Sequence, residues 1–204
     1  MNIRRFSILL FLSTLVACAS TTSGKIENNQ YHTFDSAIHF TPPQLAGLKR
    51  TDGIEASQLP GGYIGWVDFS GNIKGSVQFS TEWENISYAP VQSNERFYKR
   101  ANKFLSWYLV NDYKKRFAVP FTYGTPKVEE LVINEKPALR ATLQGTIGPN
   151  TPTVAVITLI GLNDFFVNSQ VIFEADSHTL DDVESHKMWK AYWDLVRSVE
   201  TQAL

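Results

Sequence analysis

Toward the carboxyl end of the chain, Glu174, Asp176 and His178 are spaced by two, and Asp181, Asp182, Glu184 and His186 follow within eight residues. Side chains spaced by two share one face of a strand, and Asp182 and His186, four apart, share one face of a helix. Carboxylates grouped with imidazoles suit a divalent cation. Acids in the first turn of a helix are also what its dipole attracts with no ligand present, and that reading is preferred. Neither HExxH nor paired CxxC occurs, and no metal or other cofactor is expected. A nucleophilic serine lacks a G-x-S-x-G elbow, and a phosphate lacks G-x-x-x-x-G-K-[ST] or G-x-G-x-x-G. His32 and His39 are expected at the surface or hydrogen-bonded, and Gly61-Gly62-Tyr63-Ile64-Gly65 reads as a turn entering a strand. No catalytic residue is assigned, and the chain is expected not to be an enzyme.

Charge and aromatic residues offer binding chemistry instead. Arg96, Lys99, Arg100, Lys103, Lys114, Lys115 and Arg116 stand in one segment against Glu95 and Asp112. Such a surface can face lipid headgroups, acidic polysaccharide or an acidic partner. A solvated outer face is the preferred reading, with the last three cations complementing the negative end of a helix dipole. Trp107, between Lys103 and Lys114, is expected to widen the core stripe, with partner docking or sugar stacking as the alternative.

The chemistry with the clearest address is that of Cys18, the chain's one cysteine. Arg4 and Arg5 precede an 11-residue apolar run, Phe6 to Val16, which is too short to cross a bilayer as a helix and reads as a secretory signal. A structural disulfide would need a second thiol. Leu15-Val16-Ala17-Cys18 resembles the lipobox of bacterial lipoproteins: an aliphatic residue, a tolerant position, a small residue, then cysteine. The resemblance implies a diacylglyceryl thioether on Cys18, cleavage before it, and acylation of the freed amine. Two or three chains, at about 0.8 kcal/mol per buried CH₂, make a stable anchor. In Gram-negative lipoproteins, a residue other than aspartate after the cysteine, here Ala19, implies sorting to the outer membrane, facing the periplasm.

Loss of residues 1–17 leaves 187 of 204, enough for a single domain, and changes 19 basic and 20 acidic groups to 17 and 20, a net charge of −3. That balance does not favour nucleic acid. Residues 18–30 are rich in Ser, Thr, Gly and Asn and read as a lipidated flexible tether, so the domain is expected over 31–204. Phe34 to Phe40 alternates as a strand until Pro42-Pro43, and the glycine-rich stretch 41–62 reads as an irregular loop. Tyr63–Phe69 and Val77–Trp83 form a hairpin. Phe97, Ala101, Phe104, Leu105, Tyr108 and Leu109 recur at three and four, the stripe of a helix running from Asn94 to Phe117. Val128–Ile133, Ala138–Ile147, Val154–Ile160 and Phe165–Phe173 are four strands of a meander, with the third, nearly all apolar, placed centrally. Thr179-Leu180-Asp181-Asp182 reads as a capping box before a last helix with Val183, Trp189, Tyr192, Trp193, Val196 and Val199 on its stripe.

Three strands, a helix, four strands and a helix define an α+β fold: an antiparallel sheet of six to seven strands with helices packed on it. That order, the strand Lys127–Ile133 followed by Asn134-Glu135-Lys136-Pro137-Ala138 and another strand, and the closing aromatic helix resemble PsbP-like domains, including DcrB-type lipoproteins, over Phe34 to Glu200. The resemblance implies a non-catalytic accessory or scaffold protein at a membrane, with no shared cofactor. The expected function is a lipid-anchored binding module of the cell envelope with a protein or envelope-component partner. The alternatives are a small-ligand or divalent-metal-binding periplasmic domain, using a cleft between sheet and helix, and a hydrolase with an unrecognised site.

Overall fold

The apolar run around Val154 to Ile160 is the axis of the fold: every residue from Thr153 to Leu162 is buried. The computed structural model describes residues 25–32, 38–43, 49–53, 63–68, 73–82, 94–162, 165–175 and 183–201. The signal sequence, Cys18 and the 179–182 capping box lie outside the described residues. In chain order the elements are β1 (Lys25–Glu27), β2 (Gln30–His32), β3 (Ile38–Phe40), β4 (Lys49–Gly53), β5 (Tyr63–Asp68), β6 (Ile73–Glu82) and α1 (Asn94–Asn111). There follow β7 (Phe121–Tyr123), β8 (Lys127–Ile133), β9 (Lys136–Ile147), β10 (Thr151–Leu162), β11 (Phe165–Ala175), α2 (Lys187–Ser198) and β12 (Glu200–Thr201).

The fold is α+β, with a large antiparallel sheet in the order β4-β5-β6-β11-β10-β9-β7 and β8 paired to β9 beside β7. A small sheet, β1-β2-β3-β12, joins both ends of the described chain. Period-two alternation sorts β10 between two cores. Val154, Val156, Ile160 and Leu162 meet α2 and the small sheet, together with Val167, Val171 and Phe173. Ala155, Ile157 and Leu159 meet α1, together with Leu139, Ala141 and Leu143. All six stripe residues expected on α1 are buried there.

Both helices press close to the sheet at glycines. A Cβ on Gly75 would come within 2.7 Å of Met188 Cγ on α2, and one on Gly161 within 2.7 Å of Phe97 Cδ2 on α1. Beneath α2, the hydroxyl of the buried Tyr192 hydrogen-bonds Thr158 Oγ1 and donates to the Ser169 carbonyl at 3.3 Å. That satisfies polar groups on the most buried part of the sheet.

Several expectations are corrected. Residues 25–30, assigned to the tether, include β1 and the turn Asn28-Asn29, whose positive φ values of 50° and 62° form a tight hairpin with β2. The 41–62 loop contains β4, paired with β5 from Lys49↔Val67 to Gly53↔Tyr63; its Lys-Arg-Thr-Asp-Gly sequence carries no alternation. α1 stops at Asn111, and Tyr113–Arg116 form a 3₁₀ turn. The Asn111 side chain donates to the Trp107 carbonyl at 2.9 Å, and the tighter turn brings Tyr113 in against Tyr108, Phe117 and Phe121. Lys114, Lys115 and Arg116 therefore lie beyond the helix and not in its last turn. α2 begins at Lys187, after a 3₁₀ turn at Val183–Ser185.

Asp68, at the end of β5, is 1% exposed and lies 2.6 Å from Lys187 Nζ on the first residue of α2. A cation there opposes the helix dipole, so the lysine serves the carboxylate beneath it. Lys187→Met should remove the ion pair from that buried carboxylate and cost on the order of 2 kcal/mol, less than for a fully buried pair because the ammonium is half-exposed. Urea denaturation checks this, and an unchanged midpoint would refute it.

Candidate functional site

The last helix leaves an open groove along one side. Met188, Ala191, Tyr192, Leu195 and Val196 of α2 are buried, whereas Trp189 and Trp193 on the shoulder of that stripe are half-buried and line the groove beside β8 and β9. Arg140 reaches the groove because its neighbours Leu139 and Ala141 point to the α1 side of the sheet. Its Nε and Nη2 both donate to Glu129 Oε2, at 3.1 and 2.8 Å, and Lys127 Nζ lies 3.1 Å from the other oxygen. Hydrogen bonds from Arg140 first and Lys127 second hold the Glu129 carboxyl below its ordinary pKa.

Held this way, the Arg140 guanidinium carbon lies 5.5 Å from the centre of the Trp193 ring, and that of Arg197 lies 5.8 Å from it. Two cations within about 6 Å of one indole are attracted to its π-face and fix its orientation. Trp189 meets Trp193 edge-on at 5.7 Å. Asn134 Nδ2 donates to the Arg197 carbonyl at 2.7 Å, tying the β8–β9 turn to the end of α2. The groove measures about 540 Å³, with Leu131, Val132 and Ile133 along β8 and Glu184 also lining it. Leu131 and Ile133 share the groove side of β8 with Glu129, whereas Val132, 61% exposed, is on the other side of the strand. Aromatic rings, guanidiniums and an apolar strand margin are the residue types enriched at the centres of protein interfaces.

Among the described residues, the acidic and histidine side chains do not converge. Glu174 lies on the α1 side of β11, since its neighbour Phe173 faces α2. His186 is on the opposite side, edge-on to Phe173 at 5.5 Å. Asp176, His178, Asp181 and Asp182 lie outside the described residues, and Glu184 is exposed. His186 is the N-cap of α2, its Nδ1 accepting from the Met188 N–H at 3.1 Å. Among the described residues no group of three or more metal-ligating side chains occurs. His39 Nε2 lies 3.2 Å from Glu200 Oε2 and its ring stacks on His32.

Trp107 is 56% exposed, not part of the core stripe, and Val110, one turn on, is 71% exposed. Both stand on the outer face of α1, because the stripe that touches the sheet is completed by Phe104, Tyr108 and Leu109. Lys114 Nζ sits 5.5 Å over the Tyr123 ring. Sequence reasoning did not find the Arg140–Trp193–Arg197 group. Its traces were Trp189, Trp193 and Arg197 at spacings of four on one helix, and one arginine inside the apolar strand Ala138-Leu139-Arg140-Ala141.

No protein-family model matches the chain. No curated protein matches it. Among solved structures it is similar to the cyanobacterial PsbP (CyanoP) of Synechocystis sp. PCC 6803, at 11% identity and a TM-score of 0.42, over 91% of this chain and 96% of that one. It is also similar to the Ran-binding protein Mog1p of Saccharomyces cerevisiae, at 10% identity and a TM-score of 0.40, over 86% and 96% of the two chains. The neighbours thus include a PsbP, the family that the element order and the β8–β9 turn resemble.

Burial pushes the His186 imidazole below its ordinary pKa, against the opposing pull of Asp68. A histidine kept neutral in the folded state binds protons more readily once unfolded. Its contribution is therefore full above about pH 7 and is lost as pH falls through 6.5 toward the folded value. His186→Asn, which keeps a capping acceptor, should flatten part of the decline in Tm between about pH 7 and about pH 5. An unaltered Tm–pH profile would contradict this account of the cap.

Proposed function

We propose that this chain is a non-enzymatic binding module of the cell envelope, held at a membrane by lipid on Cys18 and engaging a protein partner along the groove between β8 and α2. The observation that carries the reading is Trp193 with the guanidiniums of Arg140 and Arg197 within 6 Å of its ring in an open groove. Tryptophan and arginine dominate the energetically decisive centres of protein interfaces, and here they are pre-positioned by Glu129 and Asn134. The margin of β8 beside them offers apolar contact at Leu131 and Ile133. Carboxylates at Glu129, Glu184 and Asp194 surround the two arginines, so the groove suits a mixed polar and aromatic partner segment better than a polyanion.

The anchor half of the proposal supports the binding half by confining the domain to a surface, where modest affinity suffices. Cys18→Ser should abolish lipid labelling and release the protein from the membrane fraction. A fully processed, membrane-bound Cys18→Ser protein would remove the anchor from the proposal and leave the groove intact.

The groove is tested by a photo-reactive phenylalanine at position 131, with one at position 110 on the outer face of α1 for comparison. Illumination in the native host should give a discrete protein adduct from position 131, reduced at least about tenfold by Trp193→Ala with Arg197→Ala. Circular dichroism should show the double variant folded, because both side chains stand outside the buried stripe. An adduct from position 110 and none from 131 would overturn the groove in favour of the α1 face.

A further inference from the structure

On the opposite side of the sheet, a cleft of about 310 Å³ opens between β11 and the segment that follows α1. Gln170, Ile172 and Glu174 alternate along β11 and form its floor, while Tyr113, Phe117 and Val119 line it from the 3₁₀ turn and the chain beyond. Gln170 is 1% exposed, and its Oε1 has no hydrogen-bond partner among the described residues. A fully buried acceptor without a partner is rare in folded proteins, because the water it gave up is not replaced. Gln170 shares the cleft with Ile172 and with Ser76, which stands opposite Ile172 in the β6–β11 ladder, and Tyr113 and Phe117 line it from the other side. The volume falls at the lower end of small-molecule sites, where apolar walls supply contact area and one or two polar groups fix orientation.

We propose that this cleft is a binding site for a small, flat, largely apolar molecule carrying one neutral N–H or O–H donor, which points at the Gln170 amide oxygen while its ring lies against Tyr113 and Phe117. The donor is specified by the unpaired acceptor and the ring by the aromatic wall. Charge does not select the ligand, because Glu174 at one end of the floor stands directly opposite Lys74 in the β6–β11 ladder. The site depends neither on the groove at α2 nor on the anchor, since it lies across the sheet from both α2 and the small sheet.

Indole and benzofuran, equal in shape but differing in the N–H, are the probes. Titrated into ¹⁵N-labelled domain, indole should shift the amide resonances of Gln170, Ile172 and Val119, with benzofuran binding at least about tenfold more weakly. Gln170→Leu should leave Tm unchanged or raised and bring the two affinities together, because it removes an acceptor that has nothing to pair with. Val119→Trp, at a position 47% exposed on the cleft wall, should block both probes without disturbing the core. The proposal is overturned if indole shifts no cleft resonance up to its solubility limit, or if the two probes bind equally to the unmodified domain. It is overturned equally if Gln170→Leu lowers Tm, which would show that the amide has a structural partner.

Discussion

A strand buried on both faces must be covered on both faces, and that requirement on β10 organises the rest of the structure. Its ten consecutive buried residues divide between two cores, one beneath α1 and one beneath α2 with the small sheet. Neither helix is dispensable, because loss of either would expose a continuous apolar stripe of β9, β10 and β11. The same demand explains the glycines at the two docking points, where a methyl group would hold a helix away from the sheet. It also explains the Tyr192 hydroxyl, which satisfies Thr158 and the Ser169 carbonyl where water does not reach. Burial in that setting raises the phenol's pKa well beyond its ordinary value, so Tyr192 stays a neutral hydrogen-bonding group at any physiological pH.

Where a pattern repeats over many residues it was legible in the sequence. The six-residue stripe of α1 and the strands β8 to β11 follow from period alone, and α1's buried set agrees with its spacing residue for residue. What was not legible lies where one contact overrides the period. α1 ends early because Asn111 bonds back to Trp107 and Tyr113 is drawn into the core, although the spacing alone would carry the helix on to Phe117. α2 starts at Lys187 because His186 supplies the cap, a role sequence rules assign first to Ser, Thr, Asp or Asn. β1 was hidden by its polar composition, and Asn28-Asn29 is a hairpin signal that the low apolar content around it masked. The groove escaped notice for a different reason. Arg140 and Trp193 are 53 positions apart, and only the antiparallel ladder together with the docking of α2 brings them within 5.5 Å.

The three surfaces of interest are divided by the sheet. The groove shares its side with the small sheet that contains β1, whereas the cleft at Gln170 and the exposed Trp107 belong to the α1 side. Under the proposed anchoring, the seven steps from Cys18 to Lys25 reach at most about 25 Å. A tether of that length would hold β1 near the lipid, and a partner entering the groove would then meet the domain close to the membrane plane. The α1 side, with its cations and its exposed tryptophan, would then face away from the anchor.

The large sheet is open, and among the described residues β4 at one margin and β8 at the other have strand neighbours on one side only. Unpaired backbone of this kind can template the addition of a strand from another copy, the first step toward insoluble polymer. β4 reads Lys-Arg-Thr-Asp-Gly, and β8 places Lys127, Glu129 and Glu130 along the opposite margin. A copy-to-copy ladder on β8 would have to strip water from Lys127 and Glu130, both exposed. Charge at that margin thus opposes the addition of a strand from a second copy, which keeps an open sheet from becoming a template for its own polymer.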